Sequence, residues 1–373
     1  MKYEWPMPQR TIFGAGSIKS MPKLLEDMNA EKALLVVGAN SMKKSGAIGK
    51  VAALLSGKEL VIHEGVPVNL PIQAADELAD VVREVKPDVV IGMGGGSVLD
   101  GAKLAAWIGP DGGKTAEYLD GRRAKKGVPF ISVPTTSGTG SEVTPYIILM
   151  DMEKRVKLSL GSPLATPVVA IVDPELTLSL PPDQTASTGL DALSHGLEAY
   201  WAKAANPMSD ALALEAVQAV LANLVRAYDD PQDLEARTGM SHAACVAGMA
   251  LNHTATAAVH GLTYPLTARH GVPHGIACAF LMREVFAINF HHLELDRQKK
   301  LLYAMKSNTL GAALDLLTDL YEKLGVPGTL ADLGIDPSEI DVFARECTAK
   351  NMERNAAEIP HERIVEIWQG KIG

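Results

Sequence analysis

The first half of the chain alternates short apolar runs with stretches whose apolar residues fall at helical spacing. The runs cover 33–37 (ALLVV), 59–63 (ELVIH), 88–93 (DVVIGM), 129–134 (PFISVP) and 168–173 (VVAIVD), and residues 73–85 (QAADELADVVREV) carry the helical pattern between two of them. Strands rich in Val and Ile, each followed by a helix, predict βαβ units and a mostly parallel sheet covered on both faces. Residues 144–160 break that rhythm and predict an antiparallel hairpin with its turn near Asp151–Lys154.

After Pro181-Pro182 the strand signal nearly stops and Ala/Leu-rich helical periodicity takes over. Asn206-Pro207 reads as an N-cap followed by proline at the first helical position. The pattern therefore predicts an α/β domain over 1–180 and an all-α domain over 181–373.

Composition narrows the function. The 373 residues exceed the size at which single cores tend to divide, and 47% hydrophobic residues can fill two. A net charge of −9 weighs against a nucleic-acid partner, which needs a basic face. Cys245, Cys278 and Cys347 lie far apart and form no CxxC pair, which suits a reducing compartment. The N-terminal residues MKYEWPMPQRTIF lack the apolar core of a signal peptide. No run of about 18 uncharged apolar residues predicts a membrane span. The expectation is a cytoplasmic protein with a small-molecule substrate.

Three segments bear on a dinucleotide. VVIGMGGGSVLDGAKLAAW reads as strand, glycine turn and helix, and Gly94, Gly95, Gly96 and Ser97 would let backbone N–H groups approach a pyrophosphate. VPTTSGTGSEVT follows the next strand and supplies hydroxyls from Thr135, Thr136 and Thr139 at a carboxyl edge, where open sheets bind ligands. The run ALLVV ends in Gly38, Ala39, Asn40 and Ser41, then Lys43-Lys44. No acid stands there to take a ribose 2′-hydroxyl, and two lysines suit a 2′-phosphate, so NADP(H) is favoured over NAD(H). The candidate cofactor contacts are Gly38, Asn40, Ser41, the glycine run with Ser97 and Asp100, the three threonines, and Lys157. The plain alternative for each is an ordinary turn or a solvated loop.

Asp191 and His195 stand four apart in GLDALSHGLEAY and share a helical face, while His260 and His274 bracket VHGLTYPLTARHGVPHG, each before a glycine. One carboxylate and three imidazoles suit a divalent transition metal. His63, His242, His253, His291, His292 and His361 are read as structural or solvated.

These segments resemble the iron-containing (group III) alcohol dehydrogenases. The resemblance runs over nearly the whole length through FGAGS (13–17), GGGSVLD (94–100), PTTSGTGSEVT (134–144), the stretch from Asp173 past Pro181-Pro182, GLDALSHGLEAY (189–200) and HGLTYPLTARHGVPHG (260–275). It implies an N-terminal Rossmann-like domain and a helical C-terminal domain, the dehydroquinate synthase-like fold, with the active site in the cleft between them. It implies that Asp191, His195, His260 and His274 ligate Fe²⁺, or Zn²⁺ in some members. It implies hydride transfer between NAD(P)H and a small aldehyde or alcohol, in a homodimer or larger homo-oligomer. Relatives commonly carry a histidine four residues after the third ligand, and here that position is Tyr264. Tyr264 and His270 are accordingly the candidates for handling the proton. Arg269 resembles a feature of the phosphonate-associated branch and is a candidate for an anionic aldehyde such as phosphonoacetaldehyde. The rival readings are a dehydroquinate-synthase-like lyase and a zinc glycerol dehydrogenase.

Overall fold

The computed structural model describes residues 5, 7–39 and 41–373. They form two compact units, Trp5–Leu180 and Pro181–Gly373.

In the first unit, β1 (Arg10–Phe13), β2 (Lys32–Gly38), β3 (Glu59–Val66), β4 (Val89–Gly94), β5 (Phe130–Pro134) and β8 (Val169–Val172) form one sheet in the order β1-β8-β5-β4-β2-β3. Every pairing in it is parallel. The apolar runs are continuous because both faces are covered. Ala33, Leu35 and Val37 enter one core with Val89, Ile91 and Met93, while Leu34 and Val36 enter the other with Val90 and Phe130. Helices α1 (Met21–Asp27), α2 (Ser41–Lys44), α3 (Ala47–Leu54), α4 (Ile72–Val85), α5 (Gly96–Ile108) and α6 (Thr115–Leu119) complete this unit. Helix α5 lies so close to β4 that a Cβ on Gly92 would come 2.9 Å from that of Ala102.

The hairpin is β6 (Tyr146–Asp151) paired antiparallel with β7 (Val156–Gly161). Two buried groups on α5 tie it to that helix. Lys103 Nζ donates to Ser141 Oγ at 2.9 Å and to the Tyr146 carbonyl at 2.7 Å, and Asp100 accepts from the Ile148 N–H at 2.8 Å. Strand β1 was not legible in the hydrophobic pattern, since its four residues RTIF are only partly buried at the sheet edge. The loop after it is held by Asp173, whose carboxylate accepts from the Gly16 and Ile18 N–H groups at 3.0 Å each. Two segments that carried the family resemblance thus meet in space.

The second unit contains α7 (Pro182–Trp201), α8 (Pro207–Asp229), α9 (Leu234–Thr254), α10 (Ala258–His270), α11 (His274–Phe290), α12 (Leu295–Ala304), α13 (Leu310–Lys323), α14 (Ile340–Arg345), α15 (Ala349–Arg354) and α16 (His361–Gln369). Asn206 caps α8 by accepting from the Met208 and Ser209 N–H groups, with Pro207 opening the helix. Helix α8 is long and apolar enough to cross a bilayer by length and composition alone, but Asp210, Glu215 and Arg226 interrupt it, so it is not an uncharged apolar run of the kind the sequence expectation excluded. Its Ala213, Val217, Val220 and Leu224 lie in the core of this unit, which accounts for its apolar character.

Glu142 is buried beside Lys103, and burial pushes its carboxyl up to about 7. A folded-state value above the unfolded one, near 4.5, means that the folded chain keeps its proton longer. Nothing is lost below pH 4.5, where both states are protonated. Stability then falls as pH rises, by about 3 kcal/mol once the group ionises. Glu142→Gln lacks this titration. The stability difference between the two proteins, from denaturant melts at several pH values, is expected to shift by that amount in favour of the glutamine variant between mildly acidic pH and pH 8. A pH-independent difference would show that Glu142 is ionised throughout.

Candidate active site

Helix α7 carries Asp191, His195 and Glu198 at i, i+4 and i+7, so all three share a face, and all are buried. His260 lies in the first turn of α10 and His274 opens α11. Each histidine of the predicted set is followed by a glycine that permits a close approach. A Cβ on Gly196 would lie 3.2 Å from the Ala213 carbonyl, and one on Gly261 would lie 2.9 Å from Asn351 Cβ. One on Gly275 would lie 1.7 Å from the Ser187 carbonyl oxygen, which no side chain could tolerate. Helix α11 therefore begins directly against α7, one turn from Asp191. Pro265 inside α10 has no N–H, and the Gly261 carbonyl accepts from the Thr348 N–H at 3.0 Å.

The result is a convergence on one oxygen. Asp191 Oδ1 lies 3.5 Å from His195 Nε2, 3.5 Å from His260 Nε2 and 3.8 Å from His274 Nε2. The His195 and His260 rings stack at 4.9 Å, and His274 stands edge-on to His260 at 5.0 Å. Donor atoms about 2.1 Å from a common ion, at tetrahedral angles, are about 3.4 Å apart, close to these spacings. Among the described residues, buried Asp191 Oδ1 and His260 Nε2 have no hydrogen-bond partner, as expected of atoms that face a cation. The four residues fit a divalent transition metal.

The electrostatics agree. Burial alone would raise the Asp191 carboxyl, but His195, His274 and His260 hold it well below the usual carboxylate range. Burial opposes charge on His260, yet Cys278, Glu198 and Asp191 raise its imidazole well above the usual histidine range. A surrounding field that favours a proton also favours a metal cation in its place. Glu198 supplies much of it. Its carboxylate lies 2.5 Å from His260 Nδ1 and accepts from the Val259 N–H at 2.6 Å. Glu198 thus accepts from Nδ1–H, so that in the neutral imidazole a metal requires, the lone pair sits on Nε2.

The dinucleotide candidates lie in the first unit. Strands β2, β4 and β5 are neighbours, so the loops after their carboxyl ends sit side by side. The Thr135 N–H donates to the Gly94 carbonyl at 3.0 Å. A Cβ on Gly95 would reach 3.3 Å from Thr136 Cγ2, and one on Gly96 only 2.7 Å from Thr139 Cγ2. The glycine run and the threonine loop are thus one packed cradle at the start of α5.

Residues 8–174 match the iron-containing alcohol dehydrogenase family, and residues 185–372 match its C-terminal region. The chain belongs to the iron-containing alcohol dehydrogenase family. It is 33% identical over 369 residues to the NADPH-dependent butanol dehydrogenase of Clostridium saccharobutylicum, covering 92% of each chain. It is similar to the crystal structure of sulfoacetaldehyde reductase from Bifidobacterium kashiwanohense in complex with NAD+, with a TM-score of 0.94, 30% identity, and coverage of 100% of this chain and 99% of that one. A structure of 1,3-propanediol oxidoreductase matches with a TM-score of 0.94 and 30% identity, both chains being covered fully. This iron-containing alcohol dehydrogenase is an oxidoreductase of alcohols and aldehydes, and these matches do not favour the lyase or glycerol dehydrogenase readings.

Several residues singled out from the sequence of this dehydrogenase are placed elsewhere or engaged. His270 Nε2 lies 3.0 Å from Glu339, and its ring stands edge-on to Phe343, so the structure does not bring it into the histidine cluster. The Arg269 guanidinium forks onto the Glu346 carboxylate through Nε and Nη2. Asp100 is buried in the network that anchors the hairpin, and Ser97 Oγ accepts from the Asn69 N–H at 3.0 Å. A Cβ on Gly38 would lie 3.4 Å from Val98 Cγ2, Ser41 is exposed, Lys157 stands opposite Met150 in the hairpin, and Asn40 lies outside the described residues. Tyr264 is brought in, its ring 6.2 Å from that of His260 and 6.0 Å from that of His274. Burial raises its phenol above the usual range.

Sequence reasoning missed Glu198. The signal was available, since GLDALSHGLEAY places it on the same face as Asp191 and His195. Glu198→Gln keeps the shape but removes the charge that faces Nδ1–H. We expect metal affinity to fall about 10–100-fold, measured by chelator competition with the folded protein. Unchanged affinity would make Glu198 only a buried partner of the α10 backbone. Gly275→Ala should prevent α11 from seating on α7. Its melting transition should drop by several degrees or the protein should fail to fold, and a wild-type melt would contradict the packing.

Proposed function

We propose that Asp191, His195, His260 and His274 hold one divalent ion, Fe²⁺ with Zn²⁺ as the alternative, in an NAD(P)H-dependent reductase of small aldehydes that also oxidises the corresponding alcohols. The observation that carries this is the convergence of three imidazole nitrogens within 3.8 Å of the unpartnered Asp191 Oδ1. When bound, the ion supplies Lewis acidity toward a carbonyl oxygen and the reduced nicotinamide supplies the hydride. The chain's own residues orient and shield. Glu198 fixes the His260 tautomer, the glycine contacts seat α11 on α7 and hold α7 and α10 against α8 and α15, and the Tyr264 ring packs beside His260 and His274 as a neutral phenol.

For the nucleotide, Gly94, Gly95, Gly96, Ser97, Thr135, Thr136 and Thr139 are our candidate pyrophosphate cradle, with Gly38, Asn40, Ser41, Asp100 and Lys157 around it. The start of α5 supports this reading, because half-buried Gly95, Gly96 and Ser97 offer helix N-terminal donors. Lys43 and Lys44 after β2 support NADP(H). Lys43 lies 3.8 Å from Glu64, and both are largely exposed, so the pair is weak and a phosphate could displace it. That Cys245, Cys278 and Cys347 form no disulfide among the described residues is in keeping with our reading of a cytoplasmic location.

A second reading, that the aldehyde bears an anionic group, is favoured by the similarity to a sulfoacetaldehyde reductase. Arg269 is engaged with Glu346 through Nε and Nη2, so it would contribute by sharing or exchanging that partner.

His260→Ala and His274→Ala are expected to lose the metal in elemental analysis and, with it, most of kcat/KM, while dinucleotide binding persists. Full turnover by metal-free His274→Ala would refute the assignment. The ratio of kcat/KM for NADPH over NADH is expected to exceed unity and to fall in Lys43→Ala/Lys44→Ala. A strong NADH preference would reverse the nucleotide reading. Comparing sulfonate- or phosphonate-bearing aldehydes with neutral ones of equal length separates the two substrate readings.

A further inference from the structure

The cation-facing cluster contains one donor outside the aspartate and three histidines. Cys278 stands one turn after His274 on α11, is fully buried, and places its Sγ 3.9 Å from His274 Nε2. One donor atom from each of Asp191, His260, His274 and Cys278 lies within 4.8 Å of every other. His195 Nε2 lies 3.5 Å from the same Asp191 oxygen but outside that mutual 4.8 Å set, so it approaches from the aspartate's side. The thiol is not stranded there by chance packing alone, because Asp191 Oδ1 and His260 Nε2, both buried and without hydrogen-bond partners among the described residues, face the same space. Thr263 Oγ1 is the polar group on its other side, at 3.8 Å.

We infer that Cys278 is a fifth donor to the bound ion, making the site three nitrogens, one oxygen and one sulfur. This rests on the reading that the aspartate and three histidines hold a metal. Binding forms a metal–sulfur bond, breaks the S–H bond and releases that proton to solvent, so oxidation states do not change. A zinc–thiolate bond of about 2.3 Å is within reach of small side-chain rotations from the present spacing. Soft thiolate favours Zn²⁺ over Fe²⁺ relative to an all-nitrogen-and-oxygen set. Five protein donors leave one position open on a six-coordinate ion, enough for one substrate oxygen. Cys278 thus biases which metal the enzyme carries.

The test loads the metal-free full-length enzyme with Co²⁺ and records its absorption spectrum. A near-ultraviolet thiolate-to-cobalt charge-transfer band is expected in the wild type and should vanish in Cys278→Ser and Cys278→Ala, with cobalt still bound. In competition between Zn²⁺ and Fe²⁺, the zinc preference should fall roughly tenfold or more in Cys278→Ala. Bound cobalt without the band in the wild type would overturn the role of Cys278 and leave the four-residue site standing. Failure of the wild type to retain cobalt, zinc or iron would overturn both. The wild-type spectrum decides the matter even if a variant folds poorly.

Discussion

A buried carboxylate with an oxygen that no donor reaches is unfavourable unless positive charge compensates it, and Asp191 is in that state among the described residues. Three imidazoles surround the oxygen, but neutral imidazoles turned lone-pair-first toward a carboxylate repel it, and three protonated ones would repel each other. Neither protonation extreme suits the cluster. A single divalent ion satisfies every group at once, taking the lone pairs of the histidines and the charge of the aspartate. Glu198 adds a second buried negative charge on the far side of His260, so the surroundings together carry about the charge that one such ion neutralises.

Such a cluster can be held only by backbones that come closer than side chains normally allow. Glycines at 196, 261 and 275 provide that, each directly after a ligand candidate. The pattern has a simple cause. The residue that follows an inward-facing histidine on a helix points toward a flanking helix, and removing its Cβ draws that helix in. At Gly275 the contact is backbone on backbone, so the spacing between α7 and α11 at the level of Asp191 is fixed by atoms that cannot rotate away. Pro265 acts in the same region by exempting Gly261 from the helical ladder, which frees its carbonyl to bind the segment leading into α15. Precision at the site therefore comes from main chain more than from side-chain packing.

The legible parts of the fold were those with strong periodicity. Strands β2, β4, β5 and β8 stood out because buried parallel strands are apolar without interruption, and α4 because its apolar face repeats over fourteen residues. Strand β1 was silent because an edge strand of four half-buried residues has no such pattern. At the site, Asp191 and His195 could be paired from spacing alone. The convergence of His260 and His274 could not, because it depends on how two further helices pack, and only the flanking glycines hinted at crowding. His270 and Arg269 looked equally eligible in the sequence. What diverted them was the presence of Glu339 and Glu346, 69 and 77 residues downstream, which no local reading could pair with them.

Tyr264 in place of a histidine changes what this position can do with a proton. Histidine titrates near neutrality and can pass a proton in either direction, whereas phenol begins near 10 and burial moves it higher here. His260 partly opposes that rise, being the cationic neighbour in the absence of metal, but an ion bound by the same imidazole would keep positive charge nearby and the phenol closer to its ordinary value. In either state the hydroxyl remains protonated at neutral pH. A protonated phenol can donate a hydrogen bond but cannot act as a base. A histidine at this position could accept or release a proton near neutrality, whereas this phenol offers only a donor.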